Sequence, residues 1–429
     1  MAGRWVAVGL VLLAVLGRGP VAWGGESHES HGGGTSHGAG IGELLELART
    51  LNPEVAAMRL EADAAQAAVE GEGSLPDPKF KVGVEDMPRS YPSYFPSFRP
   101  NVTKYTFSQE LPFFGKRGLK EEIAGAGASA ARAAAQSTLN DVLTRVKVAY
   151  AEYHQAHMAM EQTSSLIDVL GSVAQVAQLR YGQGLGSQQD AAGAEVERSS
   201  MEAELARLKA SRYKARARLN ALVDRPAEAL LVEEPHPRPL PPPSALDNAV
   251  LLDRARTGNP RFAEIDARIA GADRGKDLAD RNWFPDVGVG VAAVQRTGDI
   301  VGYEAMIEMS VPLQWGLRRS QQDAAAAAAA AARSRKDAAA RQIESELHEA
   351  FLSLQSARKV EQLLSESTLP QAEVAFQSAV KSYELGRAGL IDVLTALQRL
   401  RRAQIDQINA FYEQQTRLAE IERLVGGDL

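Results

Sequence analysis

Apolar positions along this chain follow two periods, and the same succession of periods occurs twice. From Ile41 to Gly73 the pattern is helical, led by Leu44, Leu45 and Leu47, and Leu75-Pro76-Asp77-Pro78 stops it. The period then drops to two. Phe80, Val82 and Val84 alternate with Lys79, Lys81, Gly83 and Glu85, which predicts a half-buried strand over 79–86. A Pro/Ser/aromatic loop with Tyr91, Tyr94, Phe95 and Phe98 follows. A second alternating run over 102–111 sets Tyr105, Phe107 and Leu111 against Lys104, Thr106, Ser108 and Glu110. Pro112-Phe113-Phe114-Gly115-Lys116-Arg117 closes it, and no proline interrupts the helical stretch from Lys116 to Arg180. At 1.5 Å per residue that helix is roughly 95–100 Å long. Within it Leu139, Val142, Val146, Ala149, Tyr153, Ala156, Met160, Ile167 and Leu170 recur at a spacing close to that of coiled-coil packing. A return helix runs from Ser187 to Val223, ended by Asp224-Arg225-Pro226.

Beyond the proline linker at 235–243 the order is repeated. A helix from Ala245 contains Asn259-Pro260 where the first copy has Asn52-Pro53. Alternating runs over 286–295 and 303–311 predict two more strands, Pro312 sits where Pro112 sat, and Gly316-Leu317-Arg318-Arg319 echoes Gly115-Lys116-Arg117. Another long helix reaches Tyr383 and a return helix fills the rest. Each copy turns at a glycine-bearing tip, Tyr181-Gly182-Gln183-Gly184-Leu185-Gly186-Ser187-Gln188-Gln189-Asp190 and Tyr383-Glu384-Leu385-Gly386-Arg387-Ala388-Gly389-Leu390-Ile391-Asp392. The first repeat thus covers 41–234 with its tip at 181–190, and the second 244–429 with its tip at 383–392. Each return helix (about 37 residues in the first copy) is far shorter than its outgoing partner (about 65), and the helix before the strands (about 33) makes up the difference if stacked on it. The expected fold is mainly α with a small β-region at the end opposite the tips.

Composition narrows the function classes. The net charge of -6 over 429 residues gives no basic field for nucleic acid. Cysteine is absent, so thiol chemistry and disulfides are unavailable, as is a lipidated N-terminal cysteine. A basic start, an apolar run from Trp5 to Leu16 and small residues near Ala22 and Gly24 predict a secretory signal peptide over 1–24. Residues 25–40 read as a disordered His/Gly-rich leader, whose His28, His31 and His37 offer a mobile metal-binding tail or nothing more than a flexible spacer. No later stretch is apolar enough for a membrane helix. The strands therefore belong either to a soluble sheet or to a membrane barrel, with the apolar series toward lipid and the Lys/Glu series toward water. Four strands cannot close a barrel, so membrane insertion requires several chains.

Candidate chemistry is sparse. His154 and His157 lie one helical turn apart and could share a metal, or stand as ordinary surface of a long helix. His236 and His348 lack evident partners. No Ser/His/Asp set, phosphate loop or acid/base pair stands out, so no enzyme and no cofactor are expected. Asp190 and Asp392 suit the first turn of the return helices, where an anion is favourable, or a carboxylate ring around a narrow mouth.

The signal peptide, the two-fold repeat, the strand–loop–strand between very long helices and the Tyr-x-x-Gly…Asp tips resemble the TolC-type outer-membrane efflux channels. More narrowly, Leu75-Pro76-Asp77-Pro78, Val82-Gly83-Val84-Glu85-Asp86-Met87-Pro88 and Phe107 to Arg117 are similar to the heavy-metal resistance branch, that of CusC and CzcC. The resemblance implies a homotrimer whose twelve strands form one barrel in outer-membrane lipid above an α-helical periplasmic tunnel. It also implies a periplasmic adaptor and an inner-membrane RND proton antiporter as partners, with heavy-metal cations or organic toxicants as cargo; a soluble periplasmic coiled-coil scaffold is the alternative from another class. Gly184, Leu185, Leu385 and Gly386 match the tip positions presented to the adaptor, and Tyr181, Asp190, Tyr383, Arg387 and Asp392 match the periplasmic gate. Two departures stand out: Ala388 occupies the position where such channels often carry a gate-locking arginine, and Gln183 replaces a frequent valine. Lys116-Arg117 and Arg318-Arg319 are expected near inner-leaflet phosphates, where barrel meets tunnel.

Overall fold

The computed structural model describes residues 38–85, 102–112, 115–296 and 298–429. The predicted signal peptide, most of the leader with His28, His31 and His37, and the aromatic loop with Tyr91, Tyr94, Phe95 and Phe98 lie outside the described residues. The chain order is α1 (Ile41–Leu51), α2 (Pro53–Gly73), β1 (Lys79–Glu85), β2 (Val102–Leu111), α3 (Lys116–Gly182) and α4 (Gln188–Leu222). The second half runs α5 (Asn248–Gly258), α6 (Pro260–Arg281), β3 (Asp286–Arg296), β4 (Asp299–Ser310), α7 (Trp315–Leu363), α8 (Leu369–Glu384) and α9 (Leu390–Val425).

The four strands form one antiparallel sheet in chain order, with β1 and β4 at its edges. Register places Phe80 opposite Phe107, Phe107 opposite Val291 and Val291 opposite Ala305, and places Val82, Tyr105, Ala293 and Tyr303 in the next such row. That face is apolar and exposed: Tyr303 is 83% and Ile307 82% accessible. The other face holds Lys104, which pairs with Glu304 at 2.8 Å and Glu85 at 3.8 Å, and Lys79, which reaches Glu110 at 3.2 Å. A sheet with an apolar side bare to its surroundings and ion pairs on the other is built for lipid outside and water inside. β4 starts at Asp299, earlier than the alternation indicated, because a register shift between Val294 and Gln295 absorbs Val301 and the hairpin closes tightly at Gly298 (φ +103°). Lys116 is also placed differently from expectation. It is 6% exposed, its Nζ donates to Phe284 O (2.8 Å) and Asp286 Oδ1 (2.9 Å), and it ties α3 to β3 instead of facing lipid phosphate.

At 67 residues, α3 is a rod of roughly 100 Å and the axis of the molecule. The shorter helices stack end to end beside it. Asn52 caps α2, its Oδ1 accepting from Glu54 N (2.9 Å) and Val55 N (3.1 Å), while its Nδ2 donates to Leu222 O at the last residue of α4 (2.8 Å). Asn259 does the same in the second repeat, accepting from Arg261 N (2.9 Å) and donating to Leu424 O near the end of α9 (2.9 Å). One side chain thus satisfies the donors that open one helix and a carbonyl that closes another, with the two helix dipoles head to tail. Proline at N1 after each asparagine is pre-set for the helix start. Replacing Asn52 or Asn259 by alanine should each cost about 1 kcal/mol of stability, and the pair about 2 kcal/mol. Urea unfolding of the purified variants checks this; a double variant that unfolds with the wild type would mean the stitches are dispensable.

The buried residues fall into three clusters strung along the rod. One joins α1, α3, α4 and the linker around Leu44, Val146, Tyr153 and Leu219. A second joins α5, α7 and α9 around Leu251, Leu347 and Ile421. A third lies toward the tips, where Leu170, Ala174 and Ala194 of the first hairpin meet Phe376, Tyr383, Leu390 and Leu397 of the second. The leader was expected to be free up to Ile41, yet Ala39 is 3% exposed and pairs in parallel with Leu231. The proline linker beyond Leu231 is likewise fastened down. Arg238 binds Glu422 of α9 (2.8 Å), and Glu422 also binds Lys147 of α3 (2.7 Å), which reaches Asp428 on its other side.

The outgoing helices of the two repeats differ in one respect. α3 is continuous, whereas α7 and α8 are joined by a π-turn at Leu364–Thr368 just before Pro370. Buried positions keep step from Val142/Ile343 through Val146/Leu347, Ala149/Ala350 and Tyr153/Leu354 to Ala156/Ala357. Past the π-turn the matches are Ala174/Phe376 and Tyr181/Tyr383, so the second copy has gained one residue. The wide turn is where that residue is taken up.

Candidate functional site: the paired hairpin tips

Both tips are the same turn built from different side chains. In the first, Gly184 N donates to Tyr181 O (3.0 Å) and Leu185 N to Arg180 O (2.8 Å). In the second, Gly386 N donates to Tyr383 O (3.0 Å) and Arg387 N to Ser382 O (2.8 Å). These are paired Schellman closures, and each needs a residue in the left-handed region: Gly184 has φ +70° and Gly386 φ +72°. The return helices are capped by different means. Ser187 Oγ accepts from Asp190 N (3.0 Å), whereas Asp392 Oδ2 accepts from Gly389 N (3.0 Å). Leu185 and Leu385, each 68% exposed, project from the tips with no apolar cover.

The two tyrosines have opposite surroundings. Tyr181 is 47% exposed and Tyr383 only 2%. Tyr383 packs into the apolar cluster with Ala194, Phe376 and Leu390, and beside it lies Arg180, a residue that the shared tip motif does not mark. Its Nη1 donates to Tyr383 O at 2.6 Å, its Nη2 reaches Leu185 O at 3.5 Å, and its guanidinium carbon lies 5.0 Å from the centre of the Tyr383 ring. Burial pushes the Tyr383 phenol above its usual range, Asp190 adds to that, and Arg180 opposes it. Arg180, Asp190 and Tyr383 are therefore brought together across the two hairpins. Arg387, in contrast, is exposed and makes no ion pair among the described residues. The one sequence signal for Arg180 is the repeat itself: Ser382 stands at its counterpart, so the position is charged in one copy only.

His154 and His157 lie far up the rod, away from the tips. The His154 ring packs on Phe411 with centroids 5.4 Å apart. Burial lowers the affinity of both imidazoles for a proton; His157 and His236 add to this at His154, and Arg212 at His157. Among the described residues no group of three or more His, Asp or Glu side chains is arranged to hold a metal ion. Nor is any described helix long and apolar enough to cross a membrane.

Residues 44–224 and 251–427 match the family model described as outer membrane efflux protein. The chain is 26% identical over 404 residues to the cobalt-zinc-cadmium resistance protein CzcC of Cupriavidus metallidurans, covering 89% of this chain and 88% of that protein. Solved structures share its fold. The outer membrane protein VceC of Vibrio cholerae superposes with a TM-score of 0.77 at 21% identity, covering 90% of this chain and 96% of that one. The outer-membrane channel OprN gives a TM-score of 0.77 at 19% identity (90% of each chain), and CusC 0.75 at 15% identity (90% and 92%).

Proposed function

The chain belongs to the outer membrane efflux protein family, and from that premise we propose that it is the exit duct of a three-part efflux assembly discharging heavy-metal cations. The observation that carries the duct is the division of the molecule. A sheet bare on its apolar face sits at one end of a rod of roughly 100 Å, and paired turns sit at the other. Edge strands β1 and β4 stay unpaired in one copy, and three copies supply twelve strands to close a barrel in the outer membrane with the helices continuing as a tunnel through the periplasm. The protein works as a passive conduit: it performs no reaction, and the driving force comes from an inner-membrane proton-driven pump through a periplasmic adaptor.

The tips are the adaptor-facing mouth, with Gly184, Leu185, Leu385 and Gly386 as docking positions. Tyr181, Asp190, Tyr383, Arg387 and Asp392 surround the opening. Three copies of Asp190 and Asp392 would set up to six carboxylates around one narrow mouth, a field that favours cations. Metal as cargo is supported by the likeness to a cobalt-zinc-cadmium resistance protein along nearly the whole length of both chains. The test is a deletion strain challenged with cobalt, zinc, cadmium, copper, silver and organic toxicants. Loss of tolerance to one or more of the metals is expected, restored by the gene in trans. Unchanged metal tolerance with lost drug or solvent tolerance would replace the metal reading with an organic one.

A further inference from the structure

We propose that Lys81 of one copy and Glu308 of the next are counterions across the seam where β1 meets β4, and that this pair fixes the order in which three copies close the barrel. The proposal rests on the duct reading above and deepens it by naming the side chains through which one copy recognises another.

Three observations carry it. The first is a pair of unmatched charges on the water-facing side of the sheet. There Lys79 is held by Glu110, and Lys104 by Glu304 and Glu85. Lys81 on edge strand β1 and Glu308 on edge strand β4 are exposed and make no ion pair among the described residues. They are opposite in sign, and three strand spacings with the offset along β4 put their backbones roughly 20 Å apart in one copy. The second is register. Lys81, Thr106, Ala292 and Glu304 lie in one row straight across the sheet. Strands of a closed membrane barrel tilt by about 35–45°, which over four strands displaces such a row by about four to six residues. The step must be even, because an odd one would turn Phe80 and Val82 to the face opposite Ile307 and Met309. Taken one way, it carries Lys81 of the next copy to the hairpin end of β4 or past it, and most of β4 stays unpaired. Taken the other way, it sets Lys81 opposite Glu308 or Ser310, within direct or diagonal reach of the carboxylate. The third is what the charges oppose. Like edges brought together would set lysine against lysine or glutamate against glutamate, whereas β4 against β1 is the head-to-tail contact that closes a ring.

The experiment exploits the lack of native cysteine, which makes introduced thiols the only ones in the chain. Lys81→Cys/Glu308→Cys, treated in membranes with a short bifunctional thiol reagent, should give a covalent trimer on a denaturing gel, and neither single variant should. Charge reversal is read beside it as the amount of trimer that survives electrophoresis in mild detergent. Lys81→Glu and Glu308→Lys should each lose several-fold of the trimer, most clearly at low salt, since like charges then meet at every seam. The combined Lys81→Glu/Glu308→Lys should recover it. That rescue cannot arise inside one copy, where the two positions lie on opposite edges of the sheet. A double cysteine variant that does not cross-link, or a combined reversal no better than either single one, would overturn the seam pair, while a normal wild-type trimer would leave the duct intact. A single cysteine variant that cross-links to itself would overturn the head-to-tail order. Wild type and every variant remaining monomeric would instead count against the duct.

Discussion

Tryptophan at both Gly184 and Gly386 is expected to abolish export while leaving trimer insertion intact. Both glycines hold φ near +70°, where a side chain costs roughly 1–2 kcal/mol per residue, a strain that helices of this length absorb. A Cβ at Gly184 meets nothing within 4 Å, and one at Gly386 meets only the end of the Arg180 side chain. The indoles should therefore leave the fold in place and stand out from the tips, over the surface proposed above for adaptor docking. Toxicant sensitivity of cells carrying the double variant, with trimer recovered from the outer membrane as the control, measures the effect. Alanine at both positions separates strain from obstruction, since it imposes the same backbone penalty without the bulk. Export by the tryptophan pair at wild-type level would mean that the tips do not dock the adaptor; equal loss in the alanine pair would make turn geometry the cause.

The second large effect is expected at Glu422. Lys147 and Glu422 are both about 5–6% exposed, and Arg238 is nearly as deep. Removing the carboxylate leaves two cations facing Asp428, which is half exposed. Glu422→Ala should therefore lose about 3–5 kcal/mol of stability, as expected for a buried pair broken on one side. Replacing all three by apolar residues of similar volume should be close to neutral, because the one charge that then loses its partner, Asp428, is 57% exposed and keeps Arg49 nearby. Urea unfolding of the purified protein compares them, and an alanine variant as stable as wild type would show that water reaches the site. Asp428 adds an acid limb. Burial pushes its carboxyl up, but Lys147, with Arg49 and Arg238, outweighs that and holds it below the ordinary aspartate range. Its contribution is complete above the unfolded aspartate pKa and is lost as pH falls through the lower, folded value.

The contrast between these sites shows what could be read from sequence. The strands, the tips and the Asn-Pro helix starts are local: each is declared by a change of period, a glycine or a cap within a few residues. The alternation of Phe80, Val82 and Val84 is legible in the chain without any pairing, and register sets Phe80 beside Phe107 and Phe107 beside Val291. The bonds that join distant helices left no such mark. Lys147 and Glu422 lie in different repeats, and Arg238 sits in a linker that reads as a plain spacer. The motif shared by the two tips does not mark Arg180, whose counterpart in the second copy is Ser382. Sequence alone puts Lys116 near inner-leaflet phosphates because nothing local announces Asp286, which folding brings to 2.9 Å from it.

The π-turn at Leu364–Thr368 gives this asymmetry a mechanical origin. Were the extra residue carried in ordinary helix, everything from Leu369 to Glu384 would be rotated by about 100° about the helix axis. Tyr383 would then point away from Arg180, and Phe376 would leave the seam it shares with Leu170 and Ala174. The wide turn cancels that rotation roughly 20 Å before the tip, at 1.5 Å per residue. The angular phase of the second hairpin is thus set well upstream of its working end. An insertion or deletion in this stretch, touching neither tip, would dial the mouth out of alignment as surely as a substitution within it.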